Sequence, residues 1–155
     1  MKKLIIFLFF LFYSVDISAN TKAISALKEG GKLIFIRHAY APGGGDPDNF
    51  DIKKCSTQRN LDTSGIEQAK RIGKFFKDNQ ISIDLVLSSE WCRCKETAKN
   101  AFENYKTFKA LNSFFSSKFL QNRDKQMEDL KVFVQNWNGK KNIVFVTHYV
   151  VILEA

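Results

Sequence analysis

Two short apolar runs constrain the fold of this chain more than any other feature. Lys32-Leu-Ile-Phe-Ile and Asn142-Ile-Val-Phe-Val are β-branched and aromatic, lack helical spacing and are too short for a core helix, so they read as buried strands. Each runs out into a histidine: Arg37-His38 follows the first and Thr147-His148 the second, and these are the only two histidines in the chain. Two parallel strands of this kind deliver both imidazoles to one rim. The first opens directly into a glycine-rich loop, which is where a catalytic nucleophile would be placed.

The elements between these runs alternate. Ala23, Ile24 and Leu27 predict a short amphipathic helix over 22–29, closed by Gly30-Gly31, and the first strand follows over 32–37. Residues 39–62 lose all periodicity and collect Pro42, Gly43, Gly44, Gly45, Asp46 and Pro47, so they form a long loop, and loops of this length inside a domain are usually functional or mobile. Asp62 or Thr63 can cap a helix over 64–78 that turns Ile66, Ala69, Ile72, Gly73 and Phe76 inward. A strand over 83–87, a helix over 90–100, a weaker strand over 106–111, a helix over 123–137 ended by Gly139 and the last strand over 142–147 follow in turn. Val150-Val-Ile-Leu then opens a further helix. The alternation predicts an α/β three-layer sandwich, with a mostly parallel sheet and helices on both faces. Ligands of such sheets bind beyond the carboxyl ends of the strands. Those ends carry Arg37-His38, Ser88-Ser89 and His148, with Arg93 at the start of the helix after Ser89.

With 155 residues, 45% hydrophobic content and 15 Phe, the chain suits one domain with a real core. We assign that domain to residues 20–155. Residues 1–19 read as a cleaved secretory signal: Lys2 and Lys3 are basic, Leu4 begins an uninterrupted apolar run ending at Phe12, and Ile17-Ser-Ala19 resembles a signal-peptidase site. That run is shorter than the roughly 20 apolar residues that span a bilayer, so no stable membrane anchor is expected after cleavage. The expected location is periplasmic or secreted. In an oxidising compartment Cys55, Cys92 and Cys94 can form one disulfide and leave one thiol. Cys92 and Cys94 point in different directions on a helix, so a bond from one of them to Cys55 is favoured. The His and Cys spacings match no zinc motif, and no metal or other cofactor is expected. The formal net charge of +8 includes Lys2, Lys3 and Asp16, leaving about +7 on the remaining chain, enough to attract phosphorylated substrates. The lysines are scattered without a basic block, so no nucleic-acid partner is expected. Nothing in the sequence specifies an oligomeric state.

An imidazole beside an arginine suits attack on a phosphoryl group, because neutral His is a nucleophile and guanidinium grips phosphate oxygens bidentately. Two arginines and a second histidine would spread the charge that develops on the transferred group, and the helix start near Glu90 would add backbone N–H donors.

These residues resemble the histidine phosphatase superfamily, also called phosphoglycerate mutase-like. Arg37-His38-Ala39 matches its signature after the first strand. Arg59-Asn-Leu-Asp-Thr-Ser-Gly65, Ser88-Ser-Glu-Trp-Cys-Arg-Cys-Lys-Glu-Thr-Ala98 and Val146-Thr-His148 match in order, so the likeness spans 32–151. The resemblance implies a phosphatase that works through a phosphohistidine on His38, with Arg37, Arg93 and His148 holding the phosphoryl group and Arg59 approaching the substrate. Ser88 and Thr97 would support the loop and helix. The expected partner is a small phosphorylated substrate or an envelope phosphate group.

Two departures from the family qualify this. Asn112 stands where one branch has a general-acid glutamate, and Tyr149 stands where the other has an aspartate. Asp48, Asp51 and Glu90 are the candidate replacements. Without a dedicated acid, substrates with good leaving groups are favoured, and the alternative is a weak or inactive phosphate-binding or sensing module of the same fold. The family usually continues with another helix and often a strand after the second histidine, so the end at Ala155 is expected to mark a truncated product.

Overall fold

The computed structural model describes residues 16–155; most of the expected signal segment, residues 1–15, lies outside them. Strand β4 (Asn142–Thr147) is buried along its whole length because it lies inside a four-stranded, all-parallel sheet of order β1-β4-β2-β3. It pairs with β1 (Leu33–Arg37) on one side and β2 (Ile83–Ser88) on the other, and β3 (Lys106–Thr107) forms the far edge. Successive side chains of a strand point to opposite faces. Val144 and Val146 therefore join one core cluster with Val86, Phe76, Trp91, Cys94 and Ala98. Ile143 and Phe145 join another with Leu87, Leu111, Leu130 and Val151. The first cluster is covered by α1 (Asp16–Glu29), α2 (Thr63–Asp78) and α3 (Cys92–Phe102), and the second by α4 (Arg123–Asn136) and α5 (Tyr149–Glu154). These are the three expected α/β layers.

The Asp62 carboxylate caps α2 by accepting the Gly65 N–H at 2.8 Å. Two glycines let α2 close in on its neighbours. A Cβ at Gly73 would stand 2.1 Å from the Ala101 carbonyl oxygen of α3, and one at Gly65 would stand 2.0 Å from the Tyr40 carbonyl oxygen just after β1. The first turn of the helix is thus held against the chain that follows His38, and its body against α3, where only a hydrogen fits.

Some boundaries differ from those expected. Helix α1 begins at Asp16 rather than residue 22 and so runs through the expected cleavage point after Ala19. The strand expected over 106–111 is two residues long and turns into a 3₁₀ segment at Lys109–Leu111. Its apolar residues serve packing rather than pairing: Ala110 and Leu111 are buried, and the Leu111 carbonyl accepts the Thr147 hydroxyl at 2.6 Å. Helix α3 starts at Cys92, two residues later than expected.

The long loop over 39–62 is anchored to the start of α3. Cys55 and Cys92 form a disulfide across 37 residues, and the Cys92 N–H donates to Gln58 Oε1 at 2.9 Å. Cys94 is the free thiol, fully buried, and that burial pushes it up to about 12, which keeps it out of thiol exchange. Closing a loop of this length removes unfolded-state entropy worth about 2–4 kcal/mol. The Cys55→Ser/Cys92→Ser double variant is therefore expected to lose about that much, measured as the urea unfolding free energy without reductant, while Cys94→Ala leaves the disulfide formed.

Candidate active site

Because β1 and β4 are neighbours in register, with Arg37 opposite Thr147, the residue after each strand emerges at the same rim. The His38 N–H donates to the Thr147 carbonyl at 2.9 Å, and the His38 and His148 rings lie 5.4 Å apart, edge to face. The Nδ1–H of His38 donates to the Ala39 carbonyl at 2.8 Å; a carbonyl can only accept, so Nδ1 carries the proton and Nε2 keeps its lone pair. The Ala39 N–H is itself held by the Thr97 hydroxyl at 2.9 Å, and that hydroxyl donates to the Arg93 carbonyl at 2.7 Å. Thr97 thus ties the chain after β1 to α3, while the Ser88 hydroxyl is turned to the Ser89 carbonyl at 2.9 Å.

His38, His148, Arg37, Arg59 and Arg93 all line one cavity of about 400 Å³. Arg37 is exposed at its edge, whereas Arg93 is 4% exposed. Asp46, from the glycine-rich loop, holds Arg93 in a fork: NH1 donates to Oδ1 at 2.7 Å and NH2 to Oδ2 at 3.2 Å. Asp46 also accepts the Trp91 indole N–H and the Arg59 backbone N–H, each at 3.0 Å. Burial works to raise the Asp46 carboxyl, but the Arg93, Arg59 and Trp91 donors outweigh it and hold it below the usual carboxylate range. An acid held ionised in this way cannot protonate a leaving group at neutral pH. The Arg59 guanidinium donates from NH1 to the Ala41 carbonyl. The Nε–H groups of both Arg59 and Arg93 are buried without a hydrogen-bond partner among the described residues. Each such unmade bond costs about 1–3 kcal/mol.

His148 is held by a hydrogen-bond chain. The Asn112 amide is fixed at both ends, with Oδ1 accepting the Glu90 N–H at 2.8 Å and Nδ2 donating to Glu90 Oε2 at 2.7 Å. The Ser89 hydroxyl donates to Asn112 Oδ1 at 3.0 Å, which leaves its oxygen to accept from His148 Nε2, 3.1 Å away. This assigns the His148 proton to Nε2, beside the Cys94 sulfur at 3.4 Å. Asn112 is therefore a fastener behind His148 and does not line the cavity of the two histidines. Of the three acids considered as replacements, Asp48 lines that cavity. Asp51 and Glu90 line a neighbouring one, which shares Phe50, Trp91 and Phe119 with the first. At the start of α3 several of the expected N–H donors are already taken: Glu90 by Asn112, Trp91 by the Ser89 oxygen and Cys92 by Gln58.

Burial lowers the His38 imidazole, its bond to Ala39 opposes this in part, and Arg93, Arg37 and Arg59 lower it further, to about 4. Burial, then Arg93 and His38, push His148 well below the usual value. Both rings are thus neutral in the unliganded protein at neutral pH. A ring that titrates near 6.5 when unfolded and near 4 when folded favours the folded state fully above pH 6.5 and loses that advantage as pH falls toward 4. For His38 the loss is about 3 kcal/mol, because each tenfold drop in proton affinity corresponds to about 1.4 kcal/mol. Asp46 acts in the same direction only below its unfolded value of 3.8. Urea unfolding between pH 7 and pH 4.5 is expected to show stability falling with acid, and the slope flattens in His38→Asn.

The sequence model of the histidine phosphatase superfamily (branch 1) matches residues 33–115, more than half of the chain. The chain belongs to this superfamily. No curated protein sequence matches it significantly. Among solved structures it is similar to the protein histidine phosphatase SixA complexed with tungstate, at 15% identity and a TM-score of 0.54, covering 77% of this chain and 70% of that one. It is also similar to the alpha-ribazole phosphatase from Shigella flexneri, at 20% identity and 0.53, covering 77% and 75%. A phosphoserine phosphatase mutant from Entamoeba histolytica in complex with phosphoserine gives 20% identity and 0.56, covering 79% and 76%. At these identities the likeness shows a shared fold.

One residue of this histidine phosphatase site was not singled out from the sequence. Asp46 sits in the run Gly43-Gly44-Gly45-Asp46-Pro47, which announces a loop without saying which cation the carboxylate will meet. An acid wedged between Gly and Pro was the available signal, but its partner Arg93 lies 47 residues away.

Proposed function

We propose that this member of the superfamily is an exported phosphatase that transfers the phosphoryl group of a small phosphorylated molecule, or of an envelope phosphate group, to His38 and then to water. The carrying observation is the convergence of a neutral, Nε2-free His38 with Arg37, Arg59 and Arg93 around one cavity. In the first step the Nε2 lone pair bonds to phosphorus while the phosphorus–oxygen ester bond breaks. The leaving oxygen takes a proton from water or from Asp48. In the second step water attacks phosphorus, the phosphorus–nitrogen bond breaks, and phosphate leaves. Arg37 and Arg93 hold the equatorial oxygens throughout and disperse their charge, and His148, whose Nε2–H is turned to Ser89, adds a donor only when Nδ1 takes up a proton. That proteins of this fold are complexed with tungstate and with phosphoserine supports a phosphoryl-type anion as the ligand. The basic, apolar and small-residue pattern of residues 1–19 and the Cys55–Cys92 bond support export to an oxidising compartment.

A second reading is favoured by Asp46, which already occupies two donors of Arg93, and by the displacement of Asn112 from the cavity. In it the pocket binds phosphate without turnover. Brief exposure of the protein to acetyl phosphate in the cold separates the two. The phosphatase reading expects a mass gain of one phosphoryl group that is stable to base, lost in acid and absent from His38→Ala. Phosphate-dependent thermal stabilisation with no mass gain and no hydrolysis would select the binding module.

A further inference from the structure

The cavity that holds the cationic groups is also lined by five aromatic rings besides the imidazoles, those of Phe50, Trp91, Phe115, Phe119 and Tyr149. Phe50 stacks on Trp91 with centroids 5.1 Å apart, and Phe119 packs edge-on to both at 5.5 Å. The Trp91 ring is also 5.3 Å from His148, so the aromatic lining begins within one ring of the group proposed to hold the phosphoryl oxygens. Phe115 lines the same cavity but is 77% exposed, a large apolar surface left without cover. The acids fit the same picture. Asp46 is held ionised by Arg93, Asn112 is tied to Glu90 and Ser89, and only Asp48 remains among the carboxyl groups lining the cavity.

From these two features together, and resting on the phosphatase reading above, we infer that the preferred substrates are phosphomonoesters of phenols, with the ring of the leaving group laid against Phe115. A phenol ionises at about 10, as tyrosine does. A phenolate therefore departs with its electron pair and needs little proton transfer, whereas an aliphatic alkoxide, closer to water at about 15.7, depends on an acid. The aromatic lining supplies face and edge contacts to a planar ring, and the arginines supply the charge for the phosphate end.

The test compares phenylphosphonate with methylphosphonate, neither of which can be hydrolysed, by calorimetry on the full mature chain. Phenylphosphonate is expected to bind about tenfold more tightly, and Phe115→Ala is expected to bring the ratio close to one. Phe115 is so exposed that the variant retains its fold, which circular dichroism checks directly. For the wild type, kcat/KM for phenyl phosphate should exceed that for glycerol phosphate by on the order of 10²–10⁴. Equal phosphonate affinities, a ratio that Phe115→Ala leaves untouched, or equal turnover of the two esters would each overturn the inference. The phosphonate affinities report on the rings whether or not turnover occurs. Absence of phosphoryl transfer from acetyl phosphate would instead remove the catalytic reading on which the inference rests.

Discussion

His38→Ala is expected to reduce phosphatase turnover by a factor on the order of 10⁴–10⁶, the range seen when a covalent nucleophile is removed. The physical reason is that the His38 Nδ1–H bond to the Ala39 carbonyl fixes the ring and leaves its Nε2 lone pair free to attack. The nitrogen of His148 assigned a proton faces Ser89 and Cys94, and the Cys94 thiol is buried and pushed up to about 12. The loss should be accompanied by a gain in acid tolerance, because the variant no longer carries a desolvated ring that the unfolded chain protonates more readily. Steady-state rates with a small activated phosphate, beside the urea unfolding free energy at pH 5, separate the two effects. Wild-type activity in His38→Ala would dismiss the mechanism.

Arg93→Ala carries the second largest expected effect, and it acts on catalysis and folding at once. Removing a preorganised donor from a developing oxyanion costs about 10²–10³ in kcat. Arg93→Lys should recover little, since one ammonium cannot serve Asp46 and a phosphoryl group in the planar, forked geometry that a guanidinium offers. Removal also takes the guanidinium from Asp46, whose side chain is 16% exposed, leaving it the Trp91 and Arg59 N–H donors, so the cost falls below the roughly 3–5 kcal/mol of breaking a fully buried pair from one side. The double variant Arg93→Ala/Asp46→Ala should therefore regain much of the stability and none of the rate. If the double variant recovered kcat, Arg93 would be a structural partner of Asp46 and nothing more.

The parts of the fold that could be read in advance share a cause. Strands β1 and β4 are nearly continuous apolar runs because both faces of a central parallel strand are buried, and that pattern survives in the bare sequence. Helix α2 declares its own limits through Asp62 and its inward face through Ala69 and Phe76. Phe108-Lys-Ala-Leu111 was ambiguous for the opposite reason. A short apolar stretch fits an edge strand and a buried turn equally well, and the choice was made by the Thr147 hydroxyl and the space under the sheet. The choice of Cys92 over Cys94 as partner of Cys55 was settled in the same way, by which face of α3 meets the loop and which meets His148.

What the chain determined by itself was periodic and local: an alternating parallel α/β sheet, two histidines at strand ends and a glycine-rich loop after the first. What the tertiary structure alone decided was the pairing of charges and hydrogen-bond donors across long separations. Asp46 meets Arg93, Asn112 turns to Glu90 and Ser89, and the amides of Glu90 and Cys92 are spent on side chains. The reason is range. Strand and helix signals repeat every two to four residues and can be read in one pass. The partner of a carboxylate or an amide depends on which distant loop the packed core brings within hydrogen-bond reach, about 3 Å, and no local pattern encodes that distance.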